Sequence, residues 1–116
     1  MSKARYRFTA SMDVDPDKEA LFNEVYDTEH VPMLLKVPGV VSVTRIVNED
    51  FAVNIGGETR KVHVDGEPRY SAVYELESAD VLTSDAWANA VEEGRWPEHV
   101  RPYTRNRRHT LHRIID

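Results

Sequence analysis

One stretch, residues 22–39 with the sequence FNEVYDTEHVPMLLKVPG, limits most strongly what this chain can fold into. Val25 and Tyr26 belong to an apolar stripe at helical spacing, and His30 continues that line one turn later. Pro32 has no amide proton and disfavours helical geometry in the residue before it, so the helix is predicted to kink or restart there. A Pro-Gly pair then ends the helical segment and leads into a strand.

On both sides of this stretch, apolar and polar side chains alternate with a period of two, which is typical of strands with one apolar face. Asp15 is predicted to cap the first helix, and Pro16 to occupy its first position. Strands are expected over residues 4–12, 40–48, 69–76 and 104–115, with a hairpin over 51–64, a second helix over 78–94 and a linker over 95–102. The second helix is predicted to break near Thr83-Ser84, with Ser84 or Asp85 as the cap of its main part.

The resulting order is strand, helix, strand, inserted hairpin, strand, helix, strand, within one domain of 116 residues. Two right-handed split crossovers on an antiparallel sheet predict an α+β fold, a ferredoxin-like βαββαβ sandwich with a β-hairpin inserted between strands 2 and 3. Two helices cover one face of such a sheet, and the other face needs water or a partner. We therefore expect a homodimer that forms through the sheet faces.

Composition excludes several classes of protein. The formal charge of −5 and the pI of about 5.5 argue against binding to nucleic acid or to an anionic membrane. The absence of cysteine excludes disulfides, thiol chemistry and cysteine-ligated metal. No apolar run approaches the length of about 20 residues that spans a bilayer, and the N-terminus lacks the apolar region of a signal peptide. These features favour a cytoplasmic location.

Residues 26–40, YDTEHVPMLLKVPGV, combine an aromatic residue, a polar turn, a His-x-Pro motif and an apolar segment that ends in Pro-Gly. This pattern resembles the first-helix motif of the EthD-like branch of the dimeric α/β-barrel superfamily. The strand over 70–76, the helix that carries Trp87 and the polar last strand follow the order of elements in that family, with less specific motifs. The resemblance covers most of the chain in topology and is specific only within residues 26–40.

The resemblance implies that two ferredoxin-like units pair into a dimeric α/β barrel, with a pocket between each sheet and its own helices. Members of the superfamily carry out cofactor-free oxygenation, lactone isomerisation, dehalogenation, aldol-type cyclisation and haem degradation, and many EthD-like members have no established activity. The hairpin over residues 51–64 is longer than a minimal member needs, so the shape of the pocket entrance and any additional dimer contact stay open.

His30 and Tyr26 are the candidate catalytic residues. Imidazole titrates near neutral pH, so His30 suits general acid or base catalysis, and its place before Pro32 could turn it towards a pocket. Tyr26 lies one helical turn earlier on the same face, where its hydroxyl could orient a substrate oxygen or hydrogen-bond to His30. The structural alternatives are a helix-terminal histidine that bonds a backbone carbonyl and a tyrosine that packs in the core.

The candidate substrate-binding residues are arginines and one tyrosine on the strands: Arg7, Arg45, Tyr74 and Arg105, with Arg107 and His109 beside the last. Arginines that line the pocket or the interior of the barrel would favour an anionic ligand such as a carboxylate or an enolate. The alternatives are salt bridges across the dimer and protection of the sheet edges for the arginines, and core packing for the tyrosine.

These residues favour a small cofactor-independent enzyme that acts on a hydrophobic or aromatic oxygenated metabolite. His30 would transfer a proton in an isomerisation, cyclisation, carbon–carbon cleavage or oxygenation, without a metal or other cofactor. The competing hypothesis is a non-catalytic small-molecule binding or assembly module of the same fold. A haem-degrading oxygenase is a third option, in which His30 would have to ligate iron.

Overall fold

The computed structural model of the protein describes residues 3–115. Its strands are β1 (Tyr6–Val14), β2 (Val40–Val47), β3 (Phe51–Ile55), β4 (Glu58–Val62), β5 (Tyr70–Leu76) and β6 (Thr104–Arg113). Its α-helices are short: α1 (Glu19–Val25), α2 (Val31–Leu35) and α3 (Asp85–Ala90). Tighter 3₁₀ turns and wider π-helical turns join them, and these irregular turns position the candidate site.

Four of the strands form one antiparallel sheet in the order β2-β5-β1-β6. The central pair is in continuous register from Tyr6 opposite Leu76 to Met12 opposite Tyr70. The inserted strands β3 and β4 pair only with each other in a two-stranded sheet. The predicted α+β class is therefore confirmed, with a four-stranded antiparallel sheet and a separate hairpin.

The two faces of the main sheet differ in composition because the side chains of each strand alternate. On β1, Ala10 and Met12 are buried under the helices, whereas Arg7 is exposed on the opposite face. Buried residues of β1 and β5 pack against those of the helical layer, with Phe22 and Val25 fully enclosed. The helices thus cover one face of the sheet, as predicted, and the alternation of β1 determines which face.

The helical segment after β1 widens at Tyr26–His30, between α1 and α2, into a π-helical turn that we call the first π-turn. The amide of Val31 donates to the carbonyl of Tyr26, five residues earlier. Pro32 explains this geometry, since it offers no N–H to the carbonyl of Thr28 and its ring would clash with that carbonyl. A new helix begins at Val31 as predicted, but the irregularity lies upstream of Pro32.

Two predictions for the second half of the chain need correction. The helix predicted over 78–94 is a 3₁₀ turn (Ala79–Thr83) followed by α3, which ends at Ala90. The predicted break is present, because the Ser84 hydroxyl caps α3 by accepting from the Trp87 amide at 3.1 Å. The linker predicted over 95–102 is wrong. That segment forms a second π-turn (Trp96–Val100) and a 3₁₀ turn (Arg101–Tyr103), since burial of an aromatic and an apolar side chain holds it against the core.

The β3–β4 hairpin extends away from the main sheet. The radius of gyration is 16.0 Å, compared with about 13 Å for a compact domain of this length. Phe51 and Ile55 of the hairpin are each 56% exposed. Within residues 3–115, no helix is long and apolar enough to cross a membrane.

Candidate functional site

A cavity of about 370 Å³ lies between the helical layer and the main sheet, within the size range of small-molecule sites. Aromatic side chains form much of its wall, and histidine, tyrosine and arginine supply its polar groups. The lining residues are Phe8, Ala10, Met12, Tyr26, His30, Leu34, Tyr74, Trp87, Val91, Trp96, Arg101, Arg107 and His109. Both candidate catalytic residues therefore line the same cavity.

The first π-turn places His30 inside the protein, where the residue is 5% exposed. Its ring stacks on Trp96 with the centroids 4.4 Å apart and meets Tyr26 edge-on at 5.0 Å. The buried Nδ1 atom has no hydrogen-bond partner among residues 3–115. A buried polar atom without a partner is rare and costs free energy, so it marks a position where a ligand or water would bind.

Burial, and to a smaller extent the positive charge of Arg101, lower the pKa of His30 from 6.5 to about 4. The imidazole is therefore neutral at pH 7 in the free protein. A neutral ring has one nitrogen that can accept a proton, so this histidine is in the form of a general base.

Tyr26 and Tyr74 form a pair of buried hydroxyl groups beside His30. Their oxygens are 3.3 Å apart, and either can donate to the other. Burial raises the pKa of Tyr26 and raises that of Tyr74 well above its ordinary value. Both phenols therefore stay protonated at neutral pH, and the hydroxyl that accepts within the pair can donate its own hydrogen to an oxygen in the cavity.

Arg45 on β2 contacts the first π-turn and the end of α1. Its guanidinium group lies 4.7 Å from the centre of the Tyr26 ring and donates to Asp27 Oδ1 and Asn23 Oδ1, each at 2.7 Å. The side chain of Arg45 is only 19% exposed, so the cation–π contact is partly shielded from water. Arg45 thus fixes the position of Tyr26, and it is not among the residues that line the cavity.

A second set of contacts joins the first π-turn to the second. Glu29 accepts from the Arg95 amide at 2.9 Å and from Arg95 Nε at 2.6 Å, immediately before Trp96. These bonds and the charge of Arg95 lower the pKa of Glu29. Gly94 approaches the same carboxylate so closely that a Cβ atom there would lie 2.5 Å from Glu29 Oε1. The aromatic wall beside His30 is therefore held in place by a specific polar contact.

The structure brings together three of the six predicted site residues, since His30, Tyr26 and Tyr74 share the cavity. Arg7 lies on the opposite face of the sheet, where its Nε is 3.9 Å from Glu75.

Arg105 also lies outside the cavity, because it pairs with Asp15 at 2.9 Å. The predicted helix cap by Asp15 is wrong for the same reason. Asp15 occupies the cap position, but its carboxylate binds Arg105 and caps no backbone amide.

Several cavity residues are not among the site residues predicted from the sequence, including Trp87, Trp96 and Arg101. Trp96 lies in the segment predicted as a linker and Trp87 in the predicted second helix, and neither was predicted to line a site. One sequence pattern could have indicated that residues 96–100 form a turn like that of residues 26–30. Both π-turns are followed by an X-Pro pair, Val31-Pro32 and Arg101-Pro102, at the same distance from an aromatic residue.

Among residues 3–115, no group of three or more His, Cys, Asp or Glu side chains is arranged to hold a metal ion. A scan against protein-family models gives no match, and neither does a search of curated proteins. The resemblance at residues 26–40 therefore stays a prediction, and the geometry of the cavity has to carry the functional argument.

Proposed function

We propose that the protein is a small cofactor-independent enzyme that acts on a hydrophobic or aromatic oxygenated metabolite, with His30 as the proton acceptor. The observation that carries this proposal is the buried Nδ1 atom of His30, which has no partner within residues 3–115 and belongs to a ring that lines a cavity. A purely structural histidine would place that atom on a carbonyl or a carboxylate, because the desolvated group is otherwise destabilising.

The chemistry that suits this arrangement is abstraction of a proton next to a carbonyl group. Neutral His30 accepts the proton, the electron pair of the broken C–H bond moves towards the carbonyl, and the oxygen becomes an enolate. Tyr26, held protonated by burial, donates a hydrogen bond to that oxygen. Return of the proton from His30 to another atom of the same molecule completes an isomerisation. Alternatively, the enolate carbon attacks a second carbonyl, whose oxygen takes the proton back from His30, and this completes a cyclisation.

The low pKa of His30 restricts the substrate. An imidazole with a pKa of about 4 is a weak base at neutral pH. Proton transfer to it becomes favourable only when negative charge develops nearby, because the enolate stabilises the imidazolium ion. The aromatic walls at Trp87 and Trp96 favour a flat, apolar substrate body. Together these features favour an aryl compound with an acidic C–H or O–H group.

Exchange of substrate protons with solvent tests the proposal without knowledge of the final product. The protein is incubated in deuterium oxide with a panel of aryl ketones, aryl diketones and phenolic ketones, and deuterium incorporation is followed by NMR. We expect catalysed exchange with at least one compound and a loss of about a hundredfold or more in His30→Gln. His99→Gln is the matched control, because His99 is exposed on the second π-turn.

Equal exchange rates for His30→Gln and the unaltered protein would contradict the proposal. Binding of panel members without exchange would favour the competing function, a small-molecule binding or assembly module. Circular dichroism of both variants separates loss of catalysis from loss of folding.

We also propose a ferredoxin-like arrangement that pairs as a homodimer through the sheet faces. The strand order β2-β5-β1-β6, with a helical segment after β1 and another after β5, supports the ferredoxin-like topology. The face of the main sheet opposite the helices carries polar side chains such as Ser11 and Ser71, whose hydroxyl oxygens are 2.7 Å apart. Sedimentation equilibrium tests the pairing, and a monomer at micromolar concentration would contradict it.

A further inference from the structure

The charges around the cavity are unbalanced. Among the described residues, its lining includes two arginines and no aspartate or glutamate. Arg101 is already engaged, since it donates to Glu92 at 3.1 Å and to the Val91 carbonyl at 2.9 Å. The side chain of Arg107, in contrast, has no hydrogen bond or ion pair within residues 3–115. One positive charge at the cavity therefore lacks a counter-charge.

A bulge in β6 sets the position of Arg107. The pairing with β1 shifts between Ser11–Arg108 and Asp13–Arg105, so Asn106 and Arg107 together stand opposite one residue of β1. Asn106 adopts a left-handed conformation with a φ of 53°.

Two hydrogen bonds hold this conformation. The Asn106 side-chain amide donates to Asp13 Oδ2 at 3.0 Å and to the Gly66 carbonyl at 2.9 Å. The segment beside Arg107 is therefore fixed by contacts with two other parts of the chain.

Arg107 lies at the outer side of the cavity, and its positive charge affects the pKa of groups in the cavity wall. Arg107 and His109 are the exposed members of the lining, and the His109 ring stacks on Phe8 with the centroids 5.7 Å apart. Burial and the charge of Arg107 lower the pKa of His109, and the charge of Arg107 also acts on Tyr26. At neutral pH the permanent cation at this side is thus the guanidinium group.

We propose that the cavity binds an aromatic carboxylic acid, with the carboxylate on Arg107 and the aromatic body directed inwards between Trp87 and Trp96. Arginine recognises carboxylates through paired N–H donors, and such charge-assisted bonds are among the strongest hydrogen bonds in proteins. This inference rests on the proposed function and deepens it. It places the anionic group at the outer side and leaves the reacting atoms beside His30 and Tyr26.

A matched pair of compounds tests the inference by binding alone. Naphthylacetate and naphthylacetamide have nearly the same shape and differ in charge, and their dissociation constants are measured by isothermal titration calorimetry. We expect the unaltered protein to bind the acid roughly tenfold or more tightly than the amide. In Arg107→Gln this preference falls to about one, while the affinity for the amide stays unchanged.

Arg108→Gln is the control, because Arg108 is the neighbouring arginine and pairs with Glu67 at 2.7 Å away from the cavity. It should keep the preference for the acid. Equal binding of acid and amide by the unaltered protein, or a preference that survives in Arg107→Gln, would overturn this inference and leave the proton-transfer proposal standing. Failure of both compounds to bind would overturn the inference and also the aromatic substrate class.

Discussion

The two π-turns of this protein have the same backbone pattern but different residues at the position that is buried against the core. Each begins with a buried aromatic residue, Tyr26 or Trp96, each closes with an amide five residues after the accepting carbonyl, and each is followed by an X-Pro pair. The fifth position of each turn is buried against the core. That position holds His30 in the first turn and Val100 in the second.

The residue at the fifth position shows whether a turn is built only for packing or also for chemistry. The second turn shows how the chain fills the inward position when packing is sufficient, with a valine that is 1% exposed. The first turn places an imidazole there, without a partner for Nδ1 within residues 3–115. Because a valine would be more stable in that position than a desolvated polar ring, the histidine is better explained by a function of the cavity than by folding.

The largest expected effect comes from the aromatic residue that joins the two turns. Trp96 stacks on His30 and meets Tyr26 edge-on at 5.0 Å, and it is 3% exposed. Trp96→Ala should lower the free energy of unfolding by about 3–5 kcal/mol, measured by urea denaturation with circular dichroism. Trp87→Ala is the control with a half-buried ring. An equal or larger loss in Trp87→Ala would show that the second turn is not part of the main core.

Acid should destabilise the protein through the first turn. His30 has a pKa of about 4 in the folded state and about 6.5 when unfolded, so between these values only the unfolded chain binds the proton. The contribution to stability is complete above pH 6.5 and falls as the pH decreases, by about 3 kcal/mol in total. Urea denaturation at several pH values should show this loss.

His30→Val is the control for the acid effect, because it removes the titrating group and should remove this part of the pH dependence. The same slope in the variant would assign the acid sensitivity to other groups.

A smaller effect concerns the contact that connects the turns. Gly94 has a φ of +70°, and a Cβ atom there would clash with the Glu29 carboxylate. Gly94→Ala should cost about 2 kcal/mol from left-handed strain and disruption of the Glu29–Arg95 pair. Gly66 has a φ of +80° with open space around it, so Gly66→Ala should carry only the conformational cost of about 1 kcal/mol. Equal losses in thermal denaturation would mean that Glu29 moves aside freely.

The smallest effect is an increase in stability. With His30→Val, the first turn has an aromatic residue at its first position and a valine at its fifth, as the second turn does. At pH 7 it should raise the free energy of unfolding by about 1 kcal/mol, because a desolvated polar group is removed. His99→Val changes an exposed residue and should alter stability by less than about 0.5 kcal/mol. A destabilised His30→Val variant would mean that the imidazole contributes to packing.

Several features were predictable because local chemistry decides them. The Ser84 cap and the alternation of β1 depend on residues close together in the sequence, and both are observed. Arg45 lies on the same face of β2 as Val43, as expected because side chains alternate along a strand with a period of two. The contact of Arg45 with Tyr26 was not predictable. It depends on hydrogen bonds from Arg45 to Asn23 and Asp27, which lie on the helical segment and not on β2.

The features missed from sequence depend on contacts between distant segments. Helical periodicity places His30 on the apolar stripe, but it assumes a regular winding and so does not reveal the π-turn that carries this residue. Arg105, predicted as a substrate-binding residue, lies outside the cavity, where its guanidinium group pairs with Asp15, which is distant in the sequence. The position of Arg107 depends on a bulge that Asp13 and Gly66 stabilise through Asn106. Only the folded chain brings these groups together.

The most direct test of the account is an NMR titration of the His30 ring in the free protein, with the resonance assigned by its disappearance in His30→Val. A buried, unpartnered imidazole in the cavity should titrate with a midpoint near pH 4. A midpoint near the ordinary value of about 6.5 would show that the ring is solvated or paired, and it would contradict the role assigned to the first π-turn.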